Sequence, residues 1–248
     1  MPDVNEYGQP VGDLLAWHPR RRPEPVTLPG AYVVVEPLTV AHAADLHQTL
    51  CGREDRPLWT YRPTEPPPTV AAMAALIEAH LADADLVTFA LVPRGGPAQG
   101  IASFLRIDPA TGQVEIGGVL FARRLQRTRA ATEAVHLTMR YAFEDLGYRR
   151  FEWKCDSLNE PSRRAAGRLG FRYEGRFRHH MVTKSRNRDT DWYSVTDVDW
   201  PEVRAAHQAW LDPANFDAAG RQRTSLSSLT APLLDPVEPL RVGLRSPG

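Results

Sequence analysis

Apolar and polar residues follow two different periods along the chain, and the changes between them predict the order of strands and helices. The stretch AYVVVEPL at 31–38 has the composition of a strand, and Thr39 can cap a helix over 40–50. Behind Thr69, apolar residues recur at helical spacing over 70–82, which predicts a second helix.

The pattern then changes to that of strands. The runs LVTFALV, GIASFLRID and GQVEIGGVLFA are apolar or alternating, and the turn signals RGGP and DPATG separate them. Together these runs predict an antiparallel meander. A helical stripe of apolar residues follows over 129–146, and Gly147 ends it.

After the third helix, the pattern predicts a strand, a short helix and two long strands. In RRFEWKCD at 149–156, apolar and charged residues alternate, as in a strand with two different faces. The short helix begins at Asn159, the long strands are FRYEGRFRHHMVT and DTDWYSVTDV, and a closing helix covers 201–211. This order predicts an α/β (α+β) fold in which helices cover both faces of a mixed central sheet.

Both ends of the chain lack a lasting helical or strand period. Residues 1–29 are rich in Pro and Arg, which predicts an extended arm that is disordered or lies along the domain. The predicted domain covers 30–200. Over 201–248 it is followed by the closing helix and a tail that we expect to be mobile beyond Asn215.

Composition narrows the classes of function. The chain has 248 residues, 42% of them hydrophobic, and its formal net charge of +0 argues against nucleic-acid binding through bulk positive potential. Cys51 and Cys155 lie in no metal-ligand spacing, so we expect reduced thiols, no metal and a cytoplasmic location. Since no apolar run approaches membrane-spanning length, we expect no membrane association.

Two segments carry a family resemblance. The first is VEIGGVLF leading into LQRTRAATEA, and the second is LGYRRFEWKCDSLNEPSRRAAGRLGFRYEG. The chain resembles the GNAT family of acyl-CoA-dependent N-acetyltransferases, and within it the RimJ/RimL-type branch, over most of 32–198. The resemblance implies the GNAT acyl-CoA N-acyltransferase fold and acetyl-CoA as co-substrate. It also implies transfer of acetyl to a primary amine, on a protein N-terminus or a small molecule, by direct attack on the thioester.

The start of the third helix is the predicted phosphate-binding loop. The family pattern is Q/R-x-x-G-x-G/A, and the corresponding residues are Gln126, Arg127, Thr128, Arg129, Ala130 and Ala131. Unpaired N–H groups at a helix start attract an anion, with help from the helix dipole, and these donors do not require glycine. Arg129 replaces the middle glycine, so an exposed basic helix end is the alternative interpretation.

Acetyl transfer needs a thioester carbonyl held in place and a group that takes the proton of the amine. The resemblance places the receiving backbone amides at Val119, Leu120 and Phe121. Glu115 on the same strand is the candidate base, and Glu174 is a second candidate. A bulge between Glu115 and Phe121 would change the face that the carboxylate occupies, and a structural ion pair with an arginine is the alternative role.

The departing thiolate needs a proton, and many GNAT enzymes supply it from a tyrosine. Ala166 stands where that tyrosine would fall, which leaves Ser162, a serine that RimJ/RimL-type proteins carry. The spacing N-x-x-S places Asn159 one turn away, where both residues can face the cofactor. Asn159 is also a favourable N-cap residue, so the two roles remain open.

The acceptor site is less well marked. Trp59, Tyr61 and His180 are weak candidates for contacting the amine. Arg178, Lys184, Arg186 and Arg188 suit a carboxylate-bearing acceptor, although a solvated hairpin is the simpler interpretation.

Three functions follow from these observations. The leading one is an acetyl-CoA-dependent N-acetyltransferase. The second is a catalytically silent acyl-CoA-binding or regulatory module, which the replaced glycine and the missing tyrosine motivate. The third, RNA association through basic clusters, is weakened by the neutral net charge. RimJ/RimL-type proteins often dimerise, so a homodimer is a further expectation.

Overall fold

A computed structural model describes residues 3–234, and a single mixed sheet forms its centre. The strands of the sheet are β3 (Leu28–Pro29), β4 (Val33–Pro37), β5 (Val87–Pro93), β6 (Gly100–Asp108), β7 (Gln113–Phe121), β8 (Arg150–Asp156), β9 (Arg172–Thr183) and β10 (Arg186–Thr196). Two short strands near the N-terminus, β1 (Asp3–Val4) and β2 (Pro10–Val11), pair only with each other.

The sheet has eight strands in the order β3-β4-β5-β6-β7-β8-β10-β9. Strands β5, β6 and β7 form the predicted antiparallel meander. The β7–β8 pair is parallel, and the other neighbouring pairs are antiparallel. The predicted mixed sheet is therefore confirmed.

Six α-helices accompany the sheet in the described part of the chain: α1 (Ala43–Leu50), α2 (Val70–Ala82), α3 (Arg129–Arg140), α4 (Glu160–Arg168), α5 (Trp200–Leu211) and α6 (Leu226–Thr230). The sequence predicted the first five of these. Helix α3 continues into a π-helical turn over Tyr141–Asp145, so the predicted helical stripe spans both segments. Between residues 3 and 234, no helix has the length and apolar character needed to span a bilayer.

Side-chain alternation in the strands builds a separate core on each face of the sheet. Phe89 and Leu91 of β5 pack into the larger core with α3 and α5, whereas Ala90 packs into the smaller core with α1 and α2. Strand β8 follows the same rule: Phe151, Trp153 and Cys155 belong to the larger core, and Glu152 and Lys154 occupy the opposite face. The predicted two-faced character of β8 is confirmed.

The N-terminal arm is fixed by hydrogen bonds to the domain. Trp17 Nε1 donates to the Ala110 carbonyl at 2.6 Å, and Arg20 Nε donates to the Gly147 carbonyl at 3.0 Å. Further along, the buried Glu133 carboxylate accepts the backbone N–H groups of Ala31, Tyr32 and Val33 at 2.6–2.9 Å. The chain leading into β4 is therefore anchored to α3.

The expectation that the chain is mobile beyond Asn215 is wrong as far as Leu234. Leu226 is 1% exposed and belongs to the larger core, and the Thr230 hydroxyl bonds to the Arg168 carbonyl at 3.2 Å. The sequence of residues 221–230 is mostly polar, which is why it predicts a tail. A few apolar contacts are enough to hold this segment against the domain. The remaining tail, 235–248, lies outside the described residues.

Candidate active site

Strands β7 and β8 separate after their first three residues. Their parallel pairing covers Gln113 to Glu115 and ends at the Glu115–Glu152 pair. On its other side, β7 remains paired with β6 as far as Phe121. The edge of β7 that faces β8 is therefore open from Ile116 onward, and a gap forms in the middle of the sheet.

A β-bulge in β7 lies at the same level as this gap. Ser103 faces Gly117 and Ile101 faces Leu120, so one extra residue is inserted in β7. Gly118 has a φ of 60° within the bulge, where a residue with a side chain would be strained. In the described sheet, Gly118 and Val119 have no Cα partner on either neighbouring strand, which leaves this backbone available to a ligand.

The bulge decides which way the side chains of β7 point. Ile116 and Val119 both contact the larger core, although they are three positions apart and a regular strand would place them on opposite faces. Glu115 alternates with Val114 and Ile116 and so faces the α1–α2 side of the sheet. A regular strand would have placed Glu115 and Val119 on the same face.

A cleft of about 330 Å³ opens beside the bulge. Its walls come from the segment before α2, from α2, from β6 to β8, from the start of α4 and from the β9–β10 hairpin. The cleft brings together five of the predicted site residues: Glu115, Val119, Asn159, Ser162 and Tyr61.

Glu115 is part of a buried network of charges. The side chain of this residue is 5% exposed, and Oε2 lies 2.6 Å from Arg106 Nη1 and 3.1 Å from Lys154 Nζ. Lys154 Nζ also lies 2.6 Å from Glu152 Oε2 and 3.6 Å from the centre of the Trp192 ring. The arginine pair considered as an alternative role is therefore present, and a buried lysine joins it.

Ser162 lies at the opposite wall of the cleft, on α4. Its Oγ accepts a hydrogen bond from Trp153 Nε1 at 3.0 Å, so the hydroxyl proton is free to point elsewhere. Asn159 Oδ1 accepts the Ser162 N–H at 3.2 Å, which makes Asn159 the N-cap of α4. Burial raises the pKa of the neighbouring Cys155 thiol to about 11, so the thiol stays protonated at neutral pH and is a poor nucleophile.

The loop before α3 presents free backbone donors. Thr128 caps α3 through a hydrogen bond from the Ala131 N–H to its Oγ1 at 3.2 Å. Among the described residues, no acceptor lies within hydrogen-bond distance of the N–H groups of Arg127, Arg129 and Ala130. An anion at this helix start would satisfy all of them.

The side chain of Arg129 points away from this helix start. Arg129 is the first residue of α3, and its guanidinium stacks on the rings of Tyr32 and Phe216, 4.5 Å from each centroid. The left-handed conformation falls on Arg127 instead, with a φ of 62°. Arg129, which stands where the family pattern has glycine, therefore lies at a position with ordinary helical geometry.

Arg168 adds a positive charge that the sequence did not reveal. It lies at the end of α4, and its Nη1 donates to Thr132 Oγ1 in the first turn of α3 at 3.2 Å. The pKa of Arg168 is lowered, first by burial and then by the nearby charge of Arg127. Two cations therefore lie close together beside the free N–H groups, an arrangement that suits a diphosphate.

Arg188, one of the basic residues that the sequence suggests for a carboxylate-bearing acceptor, lines the cleft. Two side chains that the sequence did not suggest, Arg62 and His80, line it as well. Burial lowers the pKa of His80, and the charge of Arg62 lowers it further, so the imidazole is neutral at neutral pH. No local motif marks these residues, because the fold brings them together from distant segments.

Two of the predicted acceptor contacts lie away from the cleft. Trp59 is 1% exposed, packs into the smaller core and donates from Nε1 to the Leu50 carbonyl at 2.8 Å. His180 does not line the cleft, because its Nδ1 bonds to Thr190 Oγ1 at 2.9 Å and its ring packs against Trp192. Both aromatic rings serve local packing.

The remaining predicted cofactor contacts lie outside the cleft. The side chain of Leu120 belongs to the smaller core, and the Phe121 carbonyl accepts a hydrogen bond from Gln126 Nε2 at 3.0 Å. Residues 126–128 lie in the turn between β7 and α3, and residues 129–131 form the first turn of α3. The phosphate-binding loop therefore follows the end of β7, and the cleft lies beside the bulge within β7.

Comparison with known proteins places this geometry in a family. A family model described as an acetyltransferase (GNAT) domain matches residues 33–172. The structure resembles that of a GCN5-related N-acetyltransferase from Brucella melitensis, with 43% sequence identity and a TM-score of 0.85 over 88% of this chain and 100% of the other.

Two more relatives agree with this assignment. A probable acetyltransferase of the GNAT family from Chromobacterium violaceum ATCC 12472 has 36% identity and a TM-score of 0.73, over 81% of this chain and 100% of the other. An uncharacterized N-acetyltransferase p20 from Bacillus licheniformis is 33% identical over 96 residues, 39% of this chain and 53%, about half, of that relative. The chain belongs to the GNAT family of acetyltransferases.

Proposed function

We propose that this protein transfers acetyl from acetyl-CoA to a primary amine, by direct attack of the amine on the thioester. The observation that carries the proposal is the pairing of free N–H groups at the start of α3 with an open, bulged edge on β7. The first can hold a diphosphate, and the second leads from it into a cleft. Acetyl-CoA supplies the activated acyl group when it is bound.

In this proposal each wall of the cleft has a role. Backbone amides around Val119, in the bulge, receive the thioester carbonyl and stabilise the charge that develops on it. Ser162 gives a proton to the departing thiolate, since Trp153 already occupies an acceptor site on its Oγ. Asn159 serves as the N-cap that orients Ser162.

Glu115 accepts the proton of the attacking amine in this proposal. Its Oε2 is engaged by Arg106 and Lys154, whereas Oε1 lies 2.8 Å from the Cβ position that a side chain at Gly117 would have. The carboxylate is therefore beside the backbone that leads into the bulge. His80 is the competing group, because it lines the same cleft and its buried Nδ1 is without a hydrogen-bond partner in the described chain.

The catalytic roles predict a specific pattern of turnover. Ser162→Ala and Glu115→Gln each lower kcat by about 100-fold, which is typical for loss of a positioned acid or base, and leave the Kd for acetyl-CoA within a factor of about three. Release of free thiol with a panel of primary amines measures kcat, and calorimetry measures the Kd.

His80→Gln and Ser227→Ala serve as the matched controls, since Ser227 is an exposed serine on α6. Both controls should keep kcat within a factor of about three. A loss of kcat in His80→Gln together with normal turnover in Glu115→Gln would transfer the base role to His80. If acetyl-CoA binds and no amine is acetylated by the unsubstituted protein, the silent acyl-CoA-binding module is the correct function.

Three finer expectations belong to the same proposal. The N-x-x-S spacing of Asn159 and Ser162 supports a RimJ/RimL-type enzyme, and a cytoplasmic location fits its use of acetyl-CoA. Strand β9 forms one edge of the sheet and exposes Tyr173, Phe177 and Val182, whose exposed fractions are 55%, 51% and 80%. We place a homodimer contact at this edge. Sedimentation equilibrium should give twice the monomer mass, and a monomer at all concentrations contradicts the contact.

A further inference from the structure

Two arginines face the cleft without a counter-ion. Within residues 3–234, no carboxylate and no hydrogen-bond acceptor contacts the guanidinium of Arg62 or that of Arg188. The Nε atom of each is buried and unsatisfied. Burial lowers the pKa of Arg62, as expected for a charge that is poorly solvated and unpaired.

The acidic groups nearby are already engaged. Glu115 is bound by Arg106 and Lys154, and Glu65 lies 2.7 Å from Lys184 Nζ outside the cleft wall. Asp156, the other carboxylate of the wall, accepts the Leu158 N–H at 2.9 Å. The wall contains four cationic side chains, Arg62, Arg106, Lys154 and Arg188, and two carboxylates, Glu115 and Asp156. Glu152, which pairs with Lys154, adds a third carboxylate, so the cleft keeps an excess of positive charge.

This excess lies close to the place where acetyl would be delivered. Arg62 Nη1 is 3.5 Å from the Cβ position that a side chain at Gly118 would have, directly beside the bulge. Arg188 lies on β10 across the cleft, near enough to Cys155 for its charge to lower the pKa of that thiol against the larger effect of burial.

The phosphates of acetyl-CoA do not account for these cations. In the proposed function the diphosphate lies at the start of α3, and residues 126–131 do not line the cleft. The pantetheine arm that would enter the cleft carries no charge. The matching negative charge is then expected on the other substrate, because both guanidinium groups are half-buried, their Nε atoms are buried without a partner, and an anion would compensate them.

We propose that the acceptor is a small amine bearing a carboxylate close to its amino group, and that Arg62 binds this carboxylate with the help of Arg188. The inference rests on the proposed function and narrows it to one class of substrate. Arg62 and Arg188 then determine substrate specificity. Glu115 accepts the proton of the amine, and Ser162 donates a proton to the thiolate.

Matched pairs of acceptors test the inference on the full chain with saturating acetyl-CoA. Glycine is compared with glycinamide, and thiol release gives kcat/KM for each. Glycinamide is the less basic amine, so a preference for glycine cannot come from a larger fraction of free amine. We expect kcat/KM for glycine to exceed that for glycinamide by about 10- to 100-fold, the range for one charge-assisted contact.

Arg62→Met and Arg188→Met should remove most of this preference by raising KM for glycine, with the values for glycinamide nearly unchanged. Arg186→Met, on the same hairpin but outside the cleft wall, is the control and should keep the preference. Equal kcat/KM for glycine and glycinamide in the unsubstituted protein overturns the inference. An equal loss of kcat for both amines in Arg62→Met also overturns it, because Arg62 would then act on the thioester carbonyl.

A comparison of O-phosphoethanolamine with ethanolamine separates a phosphate from a carboxylate as the preferred anion. Preference for the phosphate in this pair, without preference for glycine, overturns the carboxylate assignment. Calorimetry with N-acetylglycine and its amide gives a readout that does not depend on turnover. Suppose that the protein acetylates no amine but binds N-acetylglycine, and that Arg62→Met abolishes this binding. The proposed function is then wrong, and the anion site is supported. If the protein acetylates amines without any preference for an anionic acceptor, the proposed function is supported and the anion site is wrong.

Discussion

Replacement of Arg168 by Met should weaken the binding of acetyl-CoA by about 10- to 100-fold and at the same time raise the melting temperature of the ligand-free protein. Arg168 is partly buried, and burial and the charge of Arg127 both lower its pKa. Its side chain donates to the neutral Thr132 hydroxyl, which does not compensate the charge. Removing such a charge raises the stability of the ligand-free native state, because an uncompensated, partly buried charge is lost. The same change weakens the binding of acetyl-CoA, because its diphosphate loses a nearby cation.

Arg164→Met is the matched control for this prediction. Arg164 lies on the same helix, is 71% exposed and pairs with Glu160. The control should change neither the Kd nor the melting temperature appreciably, since exposed ion pairs contribute little. Calorimetric titration gives the Kd, and a thermal melt without ligand gives the melting temperature. An unchanged Kd in Arg168→Met removes Arg168 from the cofactor site.

The second large effect is a loss of folding stability as the pH falls from about 6.5 to about 4. His136 and His207 are 6% and 0% exposed, and their rings lie 5.5 Å apart. Burial lowers the pKa of His136 to about 4, and the charge of Arg140 lowers it further. Burial lowers the pKa of His207 to about 3, and the charge of His136 lowers it further. In the described chain the Nδ1 atoms of both rings are buried without a hydrogen-bond partner.

The sign follows from proton linkage. The unfolded chain binds protons at these residues below pH 6.5, and the native state binds them only near pH 4 and pH 3. The free energy of unfolding therefore has its full value above pH 6.5. Below pH 6.5 it falls by roughly 2 to 3 kcal/mol per pH unit, since each histidine contributes about 1.4 kcal/mol per pH unit.

Urea denaturation between pH 7 and roughly pH 4.5 measures this slope. His207→Gln preserves a donor for the Leu169 carbonyl, which His207 Nε2 contacts at 3.1 Å, and should lower the slope by about half. His18→Gln, an exposed histidine of the arm, should leave the slope unchanged. A slope that is the same in all three proteins contradicts the role of the buried histidine pair.

Local patterns in the sequence were sufficient for most of the architecture. Alternation along β8 separates Trp153 from Lys154, and Thr69 caps α2 through its side chain, so both features follow from neighbouring residues. The last helix, α6, has too few apolar residues to show a period, and it is held by contacts with α4 and α5. Its position depends on the rest of the fold.

The candidate site was predicted only in part, because some of its features follow from neighbouring residues and others depend on the rest of the fold. Backbone donors at α3 and the N-cap at Asn159 follow from short motifs, whereas the orientation of Glu115 relative to Val119 depends on the bulge at Gly118. Trp59 was predicted to contact the acceptor, but its indole is buried in the smaller core between α1 and α2. Among residues 3–234, the Nε atom of Arg62 is buried without a hydrogen-bond partner, and this depends on which segments the fold brings around it.

The proposed function requires that the free N–H groups at the start of α3 hold the diphosphate of acetyl-CoA. A crystal structure with bound CoA shows whether they do. We expect diphosphate oxygens about 2.9 Å from the backbone nitrogens of Arg129 and Ala130, with the pantetheine thiol beside Ser162. Electron density for CoA at any other surface of the protein, with this helix start unliganded, contradicts the proposed function.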